Sequence, residues 1–254
     1  MDKQVINDNF SRSAESYDAY ASVQKRCAEI LIESLDGAQF DSLLEIGCGT
    51  GNYTDILRQK YPGSKITALD ISETMVEVAR EKLSGHNVSF MLADAEDLRG
   101  VQEVDLITSN ATLQWFSDLD ASFKRFRKKL RDKGTIAVSI YGPDTFKEFK
   151  EVLNDHYGER EWLTSSKFPS KNDIEKILKK NFNEYKVSEV SFTVYRDSLL
   201  DFLKDIKRTG TRGEGLGKGF FLGKYALQDL ERIYVEKYGR IKVTHNVHFC
   251  EATL

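Results

Sequence analysis

The stretch LLEIGCGTGNYT, residues 43–54, runs from an apolar strand pattern into three alternate glycines, Gly47, Gly49 and Gly51, and then into a helical pattern. Glycines at such a junction let the backbone bend tightly and approach a ligand closely. A dinucleotide-binding turn would carry its third glycine one residue later, where this chain has Asn52, so the spacing departs from that fingerprint. Glu45, a carboxylate near the end of the same strand, would repel a pyrophosphate and suits a cationic ligand.

Outward from this stretch, short apolar runs at 42–47, 65–70, 88–94, 104–110 and 134–141 alternate with helical patterns beginning near Tyr53, Glu73 and Leu119. Strands separated by helices imply parallel pairing with right-handed crossovers, hence a doubly wound α/β sheet. Upstream, apolar residues recur at helical spacing from Val5 to Leu35 with a break near Tyr17 to Tyr20, which predicts two helices. Downstream, helices are expected over 144–157 and 171–182, the second capped by Ser170 with Asp173 three residues on. A strand over 185–195, helices over 198–208 and 226–238, and a closing strand over 240–250 complete the pattern. Seven strands result, with helical insertions after the fifth and the sixth. The expected organisation is a single domain over 1–254: a helical cap at 1–36, a ligand-binding core at 40–141, and insertions at 142–170 and 196–238 forming a lid over a substrate. The glycine-rich run 210–223 is the one stretch whose composition predicts mobility.

With 254 residues, 40% hydrophobic and 30% charged, the chain has the composition of an ordinary globular protein. Its net charge of -3 offers nucleic acid no overall attraction. Cys27, Cys48 and Cys250 are far apart and lack a CxxC pair, which suggests neither a disulfide framework nor a zinc site. The polar N-terminus lacks the apolar region of a secretory signal, and no apolar run approaches the roughly 20 residues of a membrane span. A cytoplasmic location, with no membrane or nucleic-acid partner and no metal, is the expectation. His245 and His248 are three apart on an expected strand and so point to opposite faces.

Polar groups end the successive strands: Asp70 beside Ile71, then Asp94 with Ala95, then Asn110. Open α/β sheets bind ligands at the carboxyl ends of their strands. A lone Asp after a strand is more often a helix cap, but these positions occur in order behind the glycine stretch. Asp70 can accept from both hydroxyls of a ribose, and Asp94 from an adenine amino group. S-adenosylmethionine, which carries an ammonium and a sulfonium and no phosphate, fits this set. The motif Glu45-Ile46-Gly47-Cys48-Gly49-Thr50-Gly51 resembles the E/D-x-G-x-G-x-G signature of the class I S-adenosylmethionine-dependent methyltransferases. That resemblance covers about residues 40–140 and implies a seven-stranded sheet whose last strand is antiparallel.

Three flanking stretches, FSRSAESYDAYASVQ (10–24), SNATLQW (109–115) and LLDFLKDIKRTGTRG (199–213), together resemble the malonyl-acyl carrier protein O-methyltransferases of biotin synthesis over nearly the whole chain. The resemblance implies transfer of methyl to the free carboxylate of a malonyl thioester. It also implies that Tyr17 and Gln24 close over the methionine part of the cofactor. Asn110 and Gln114 on the cofactor side, and Trp115 on the substrate side, would line the methyl-transfer chamber. In many relatives the glycine after the 199–208 helix is followed by Ala, where this chain has Thr211-Arg212. The runner-up is a small-molecule carboxyl or carbon methyltransferase acting on an aconitate-like or quinone-precursor-like acceptor. A reading from a different class is a cofactor-binding regulatory protein without transfer activity, which the intact motif argues against.

A carboxylate acceptor with a pKa of about 4 is already ionised, so it needs no general base. Arg is the natural clamp for it, because its planar fork matches two oxygens. Arg208 ranks first, at the end of a helix before the glycine run, followed by Arg196 and Arg212, with the Tyr141 hydroxyl assisting. The basic run Lys124 to Arg131, placed on the helix before the fifth strand, is either a solvated face or a steering surface for an acidic acyl carrier protein.

Overall fold

The computed structural model describes residues 1–215 and 222–254. Seven strands, β1 (Ser42–Ile46), β2 (Lys65–Asp70), β3 (Val88–Leu92), β4 (Val104–Asn110), β5 (Leu130–Tyr141), β6 (Glu184–Arg196) and β7 (Ile241–Thr253), form one sheet in the order β3-β2-β1-β4-β5-β7-β6. All neighbours from β3 to β5 pair parallel, whereas β7 runs antiparallel to both β5 and β6. The strand order reverses between β1 and β4, and at such a switch point the flanking connections leave in opposite directions and open a crevice.

The helices α1 (Lys3–Tyr20) and α2 (Ser22–Glu33) precede the sheet, and α3 (Asn52–Lys60), α4 (Glu73–Lys82) and α5 (Leu119–Lys129) are crossovers. They are followed by α6 (Lys147–Tyr157), α7 (Lys171–Asn181), α8 (Leu199–Arg208) and α9 (Lys224–Tyr238). The two faces of the sheet are separated by the period-2 alternation of its strands. On β1, Leu43 packs with Cys27 and Leu31 of α2 and Leu57 of α3, while Leu44 and Ile46 pack with Phe123 and Phe126 of α5 and Ile174 and Leu178 of α7. A third cluster forms around the ends of β6 and β7 nearest α6, α8 and α9, with Phe149, Trp162, Phe202, Leu230, Tyr234 and Val243. The insertions thus have a core of their own, and it abuts the mouth of the switch-point crevice.

Several expected boundaries move. The first helix breaks at Ala21, just after the expected interval, and this residue is buried between the two helices. The fifth strand begins at Leu130 rather than at 134, so Leu130 and Arg131 belong to the sheet and the basic helix ends at Lys129. Val104 pairs with Leu130 across a register shift, next to Lys133 at φ 60°; an irregular start of this kind leaves no periodic signal to read. The capping box at Ser170 is present: its hydroxyl accepts from the Asp173 N–H at 3.2 Å, and the Asp173 carboxylate accepts from the Ser170 N–H at 3.3 Å. Cys27, Cys48 and Cys250 are free and buried. No helix among the described residues is long and apolar enough to cross a membrane.

Candidate active site

The turn from β1 into α3 holds Gly47 at φ +72° and Gly49 at φ +51°, backbone that L side chains rarely adopt. A Cβ on Gly47 would lie 2.1 Å from Thr112 Oγ1, whereas one on Gly49 would meet nothing within 4 Å and would project into a cavity of about 140 Å³. The Gly49 N–H donates to Asp70 Oδ2 and the Ser72 N–H to Asp70 Oδ1, each at 2.9 Å. Asp70 is therefore held rigidly at the end of β2 with acceptor capacity left over for a ligand. Burial raises its pKa, against the lowering effect of those backbone bonds.

Glu45 is 1% exposed, and its Oε2 has no hydrogen-bond partner. Burial, with the charge of Asp70 adding to it and the Thr54 hydroxyl opposing, pushes its carboxyl up to about 8. A buried carboxylate oxygen without a partner is costly unless a cation or donor arrives beside it. Asp94, at the next strand end, accepts from the Glu96 N–H at 2.9 Å and pairs with Lys3 at 2.6 Å. Lys3 also reaches Glu96 at 2.5 Å, so the first turn of α1 is fastened across the cavity. Asn110 is tied on both sides, donating to the Gln24 carbonyl at 2.9 Å and accepting from Ser139 Oγ at 2.7 Å.

A second chamber of about 310 Å³ lies beside the first, walled by the third hydrophobic cluster. Tyr141, Arg196 and Arg212 line it. Phe10, Tyr17, Gln24, Ala111 and Trp115 line both cavities and so form the wall that the two share. Trp115 is held edge-on between Phe10 at 5.8 Å and Phe168 at 5.2 Å. Burial keeps the Tyr17 and Tyr141 phenols protonated, with their pKa values pushed up.

Of the residues expected to bind the cofactor, the structure gathers Gln24, Glu45, Gly47, Gly49, Asp70, Ile71, Asp94, Ala95 and Asn110 around the first cavity. Gly51 and Gln114 do not line it. Gly51 is the left-handed residue that opens α3, packed toward Ala79, and Gln114 lies on the second chamber, bridging the Ala111 carbonyl and the Tyr141 N–H. Arg208 departs most from expectation. It is exposed and lines neither cavity; its guanidinium is bonded to the Tyr20 hydroxyl and sits 4.5 Å over that ring. Lys207 and Thr209 line the chamber, whereas the Arg208 side chain is turned onto the ring of Tyr20 at the end of α1. The part of the glycine-rich run that is described, Gly210–Gly215, is packed against α1, with Gly210 against Asn9 and Ser13 and the Gly213 carbonyl accepting from Asn9 at 2.8 Å. Close approach, not freedom, is what these two glycines supply; 216–221 lie outside the described residues.

Sequence reasoning missed Lys3, Phe10 and His245. Ile6 and Phe10 at i, i+4 give a partial signal for a helix face turned to a ligand. His245 is one polar residue in the otherwise apolar row Ile241, Val243, Val247, Phe249 on one face of β7, an interruption that alternation could have exposed.

A family model described as a methyltransferase domain matches residues 43–134. The chain is 36% identical over 241 residues to malonyl-[acyl-carrier protein] O-methyltransferase 1 of Ilyobacter polytropus, covering 94% of this chain and 89% of that protein. It is 32% identical to malonyl-[acyl-carrier protein] O-methyltransferase of Acetivibrio thermocellus, covering 98% of this chain and 93% of that one. Among solved structures it is similar to a putative methyltransferase of Bacillus halodurans, with a TM-score of 0.64 at 14% identity over 89% of this chain and 97% of that one. It is also similar to phosphoethanolamine N-methyltransferase 2 of Haemonchus contortus in complex with S-adenosyl-L-methionine, with a TM-score of 0.60 at 18% identity, covering 95% of this chain and 57% of that one.

Proposed function

Because the chain belongs to the malonyl-[acyl-carrier protein] O-methyltransferases, we propose that it transfers methyl from S-adenosylmethionine to the free carboxylate of a malonyl thioester carried by an acyl carrier protein. One observation carries this reading for the structure: a cofactor cavity and a larger acceptor chamber share a wall of five residues, so a donor in one can meet an acceptor in the other. The residues present fit the cofactor. Glu45 offers an unpartnered buried carboxylate oxygen to a cation, Gly49 a backbone that only a side chain would obstruct, Asp70 a fixed acceptor pair for a diol, and Asp94 an acceptor for an amino group. When bound, the cofactor supplies a methyl group made electrophilic by its sulfonium.

The chain's own contribution is position and dryness. A malonyl carboxylate is ionised near neutral pH, with a reference pKa of about 4, so no residue has to remove a proton. Tyr17 and Trp115 close the junction between the cavities and exclude the water that would solvate the nucleophile. The α6 and α8 segments provide the lid over the acceptor. Holding the oxygen toward the methyl is worth several orders of magnitude in rate.

For the carboxylate clamp the chamber favours Arg212. Arg196 is already neutralised by Asp205 and donates to the Tyr195 carbonyl at 2.8 Å. Arg212 has its Nε fixed by Asn9 Oδ1 at 2.7 Å, and among the described residues it makes no ion pair, so its terminal nitrogens are free for two oxygens. Arg212→Ala is expected to lower kcat/KM for a short malonyl thioester by about tenfold to a hundredfold, the loss of one charged hydrogen-bonding contact, with Arg212→Lys between it and the native enzyme. Normal kinetics for Arg212→Ala would return the clamp to Arg196, the other arginine that lines the chamber.

We also infer a docking side for the acidic partner. The basic end of α5 leads into the amino end of β5, whereas the site lies at the carboxyl ends of the strands. The exposed cations Lys207 and Arg212, on α8 and the turn after it, line the acceptor chamber instead, with Lys204 and Arg208 exposed on the same segment. We assign carrier docking to this cluster and treat the 124–129 face as solvated.

A further inference from the structure

His245 has been given no part so far, yet it stands in the wall of the acceptor chamber. Its ring is boxed edge-on by Tyr141 at 5.9 Å and Phe146 at 5.1 Å, which fixes its plane. Its Nδ1 is shut off from solvent and has no hydrogen-bond partner. Two other polar atoms in the same wall are in the same condition: Tyr141 Oη and Trp115 Nε1, on residues 6% and 7% exposed. Polar groups buried without partners are uncommon in folded proteins, and three around one chamber point to a ligand that supplies what the protein withholds. Each can donate a hydrogen bond, and a malonyl thioester presents acceptor oxygens at its carbonyl as well as at its carboxylate.

We propose that His245, as a neutral imidazole, acts with Tyr141 and Trp115 as the acyl-recognition wall, fixing the oxygens of a short diacid thioester and so determining which acyl length reacts. His245 is a positioning residue for the proposed transfer, on which this inference rests. Its neutrality matters. A third cation beside Arg196 and Arg212 would hold the carboxylate in a stronger ion pair and dull its nucleophilicity, whereas a neutral donor orients it. Burial, with the Arg196 guanidinium adding to it, lowers the imidazole pKa to about 3, so the ring is uncharged near neutral pH. The groups facing it are the Tyr141 phenol, also kept neutral by burial, the Phe146 ring, and the Arg196 and Asp205 pair.

The test is kinetic. His245→Phe keeps a flat ring between Tyr141 and Phe146 but removes both nitrogens, and Tyr141→Phe removes a single hydroxyl. Each is expected to raise KM for the malonyl carrier by roughly tenfold, the scale of one lost buried hydrogen bond, and to narrow the preference for malonyl over succinyl carrier. Cofactor affinity should not change, because neither residue lines the cofactor cavity. His245→Asn, which restores a donor, should recover part of the preference. A malonyl KM and a malonyl-to-succinyl ratio within twofold of native in both Phe variants would overturn the inference. So would a loss of cofactor affinity parallel to the rise in KM, which marks a merely structural role. A native enzyme that leaves malonyl carrier unmethylated overturns the proposed function itself, and the role of His245 with it.

Discussion

Glu45 shows how one buried group can report on the cofactor site. Its ordinary carboxyl value of 4.5 is pushed up to about 8 in the folded chain. Because the folded value is the higher one, its contribution to stability is fully present below about 4.5 and is lost as pH rises through 8. A cationic ligand favours the ionised form, so binding below pH 8 should expel a proton, and affinity should strengthen from pH 6 to 8 and then level off. Calorimetry at pH 6.5 in two buffers of different ionisation enthalpy checks this directly. Buffer-dependent heats are expected for the native protein and buffer-independent heats for Glu45→Gln; buffer-independent heats for both would contradict the assignment. At this scale the motif residues were legible because their spacing is local: a glycine that must take positive φ, or a carboxylate that ends a strand, announces itself within a few positions. Arg208 and Arg212 were not separable in the same way, because Arg208 ends α8 and Arg212 sits in the turn beyond it, where no periodicity marks which side chain meets the chamber.

Elements inherit their function from where they deliver their ends. Short apolar runs placed the strands β1 to β4 to within two residues; β1 and β4 are buried on both faces and bounded by polar turns, while β3 at the sheet edge is only partly buried. They did not place α5 relative to the site, because a charge run reads the same at either end of a sheet. The crossover geometry resolves it: a helix that returns the chain to start a parallel strand ends at the edge away from the ligand. Lys204→Glu with Lys207→Glu is therefore expected to lower kcat/KM for the carrier-bound substrate severalfold at low salt and little at high salt, since steering is screened over about 10 Å at 0.1 M. Arg125→Glu with Lys128→Glu should leave both values near native. Stopped-flow or initial-rate measurements across a salt series distinguish the two faces, and the opposite ranking would return docking to α5.

Across the whole molecule, the two cavities depend on parts far apart in the chain. α1 closes the cofactor cavity through Lys3 and its pairs with Asp94 and Glu96, and its Asn9 holds both Arg212 and the Gly213 carbonyl at the acceptor chamber. The seven-stranded sheet and its antiparallel last strand were legible from the repeating pattern of strand and helix together with the family resemblance, but the strand order, and contacts such as that between residue 9 and residue 212, leave no periodic trace. What the junction of the cavities implies is a single chemical event, methyl passing from cofactor to a carboxylate at the far end of a thioester. The measurement that tests it most directly is incubation of the protein with methyl-labelled S-adenosylmethionine and, separately, malonyl, succinyl and acetyl carrier proteins, followed by mild alkaline hydrolysis. Label should appear on the malonyl carrier, fall steeply on the succinyl carrier, be absent from the acetyl carrier, and be released by alkali as methanol, the mark of a methyl ester. An unlabelled malonyl carrier beside a labelled acetyl carrier, or label that survives alkali, would contradict the account.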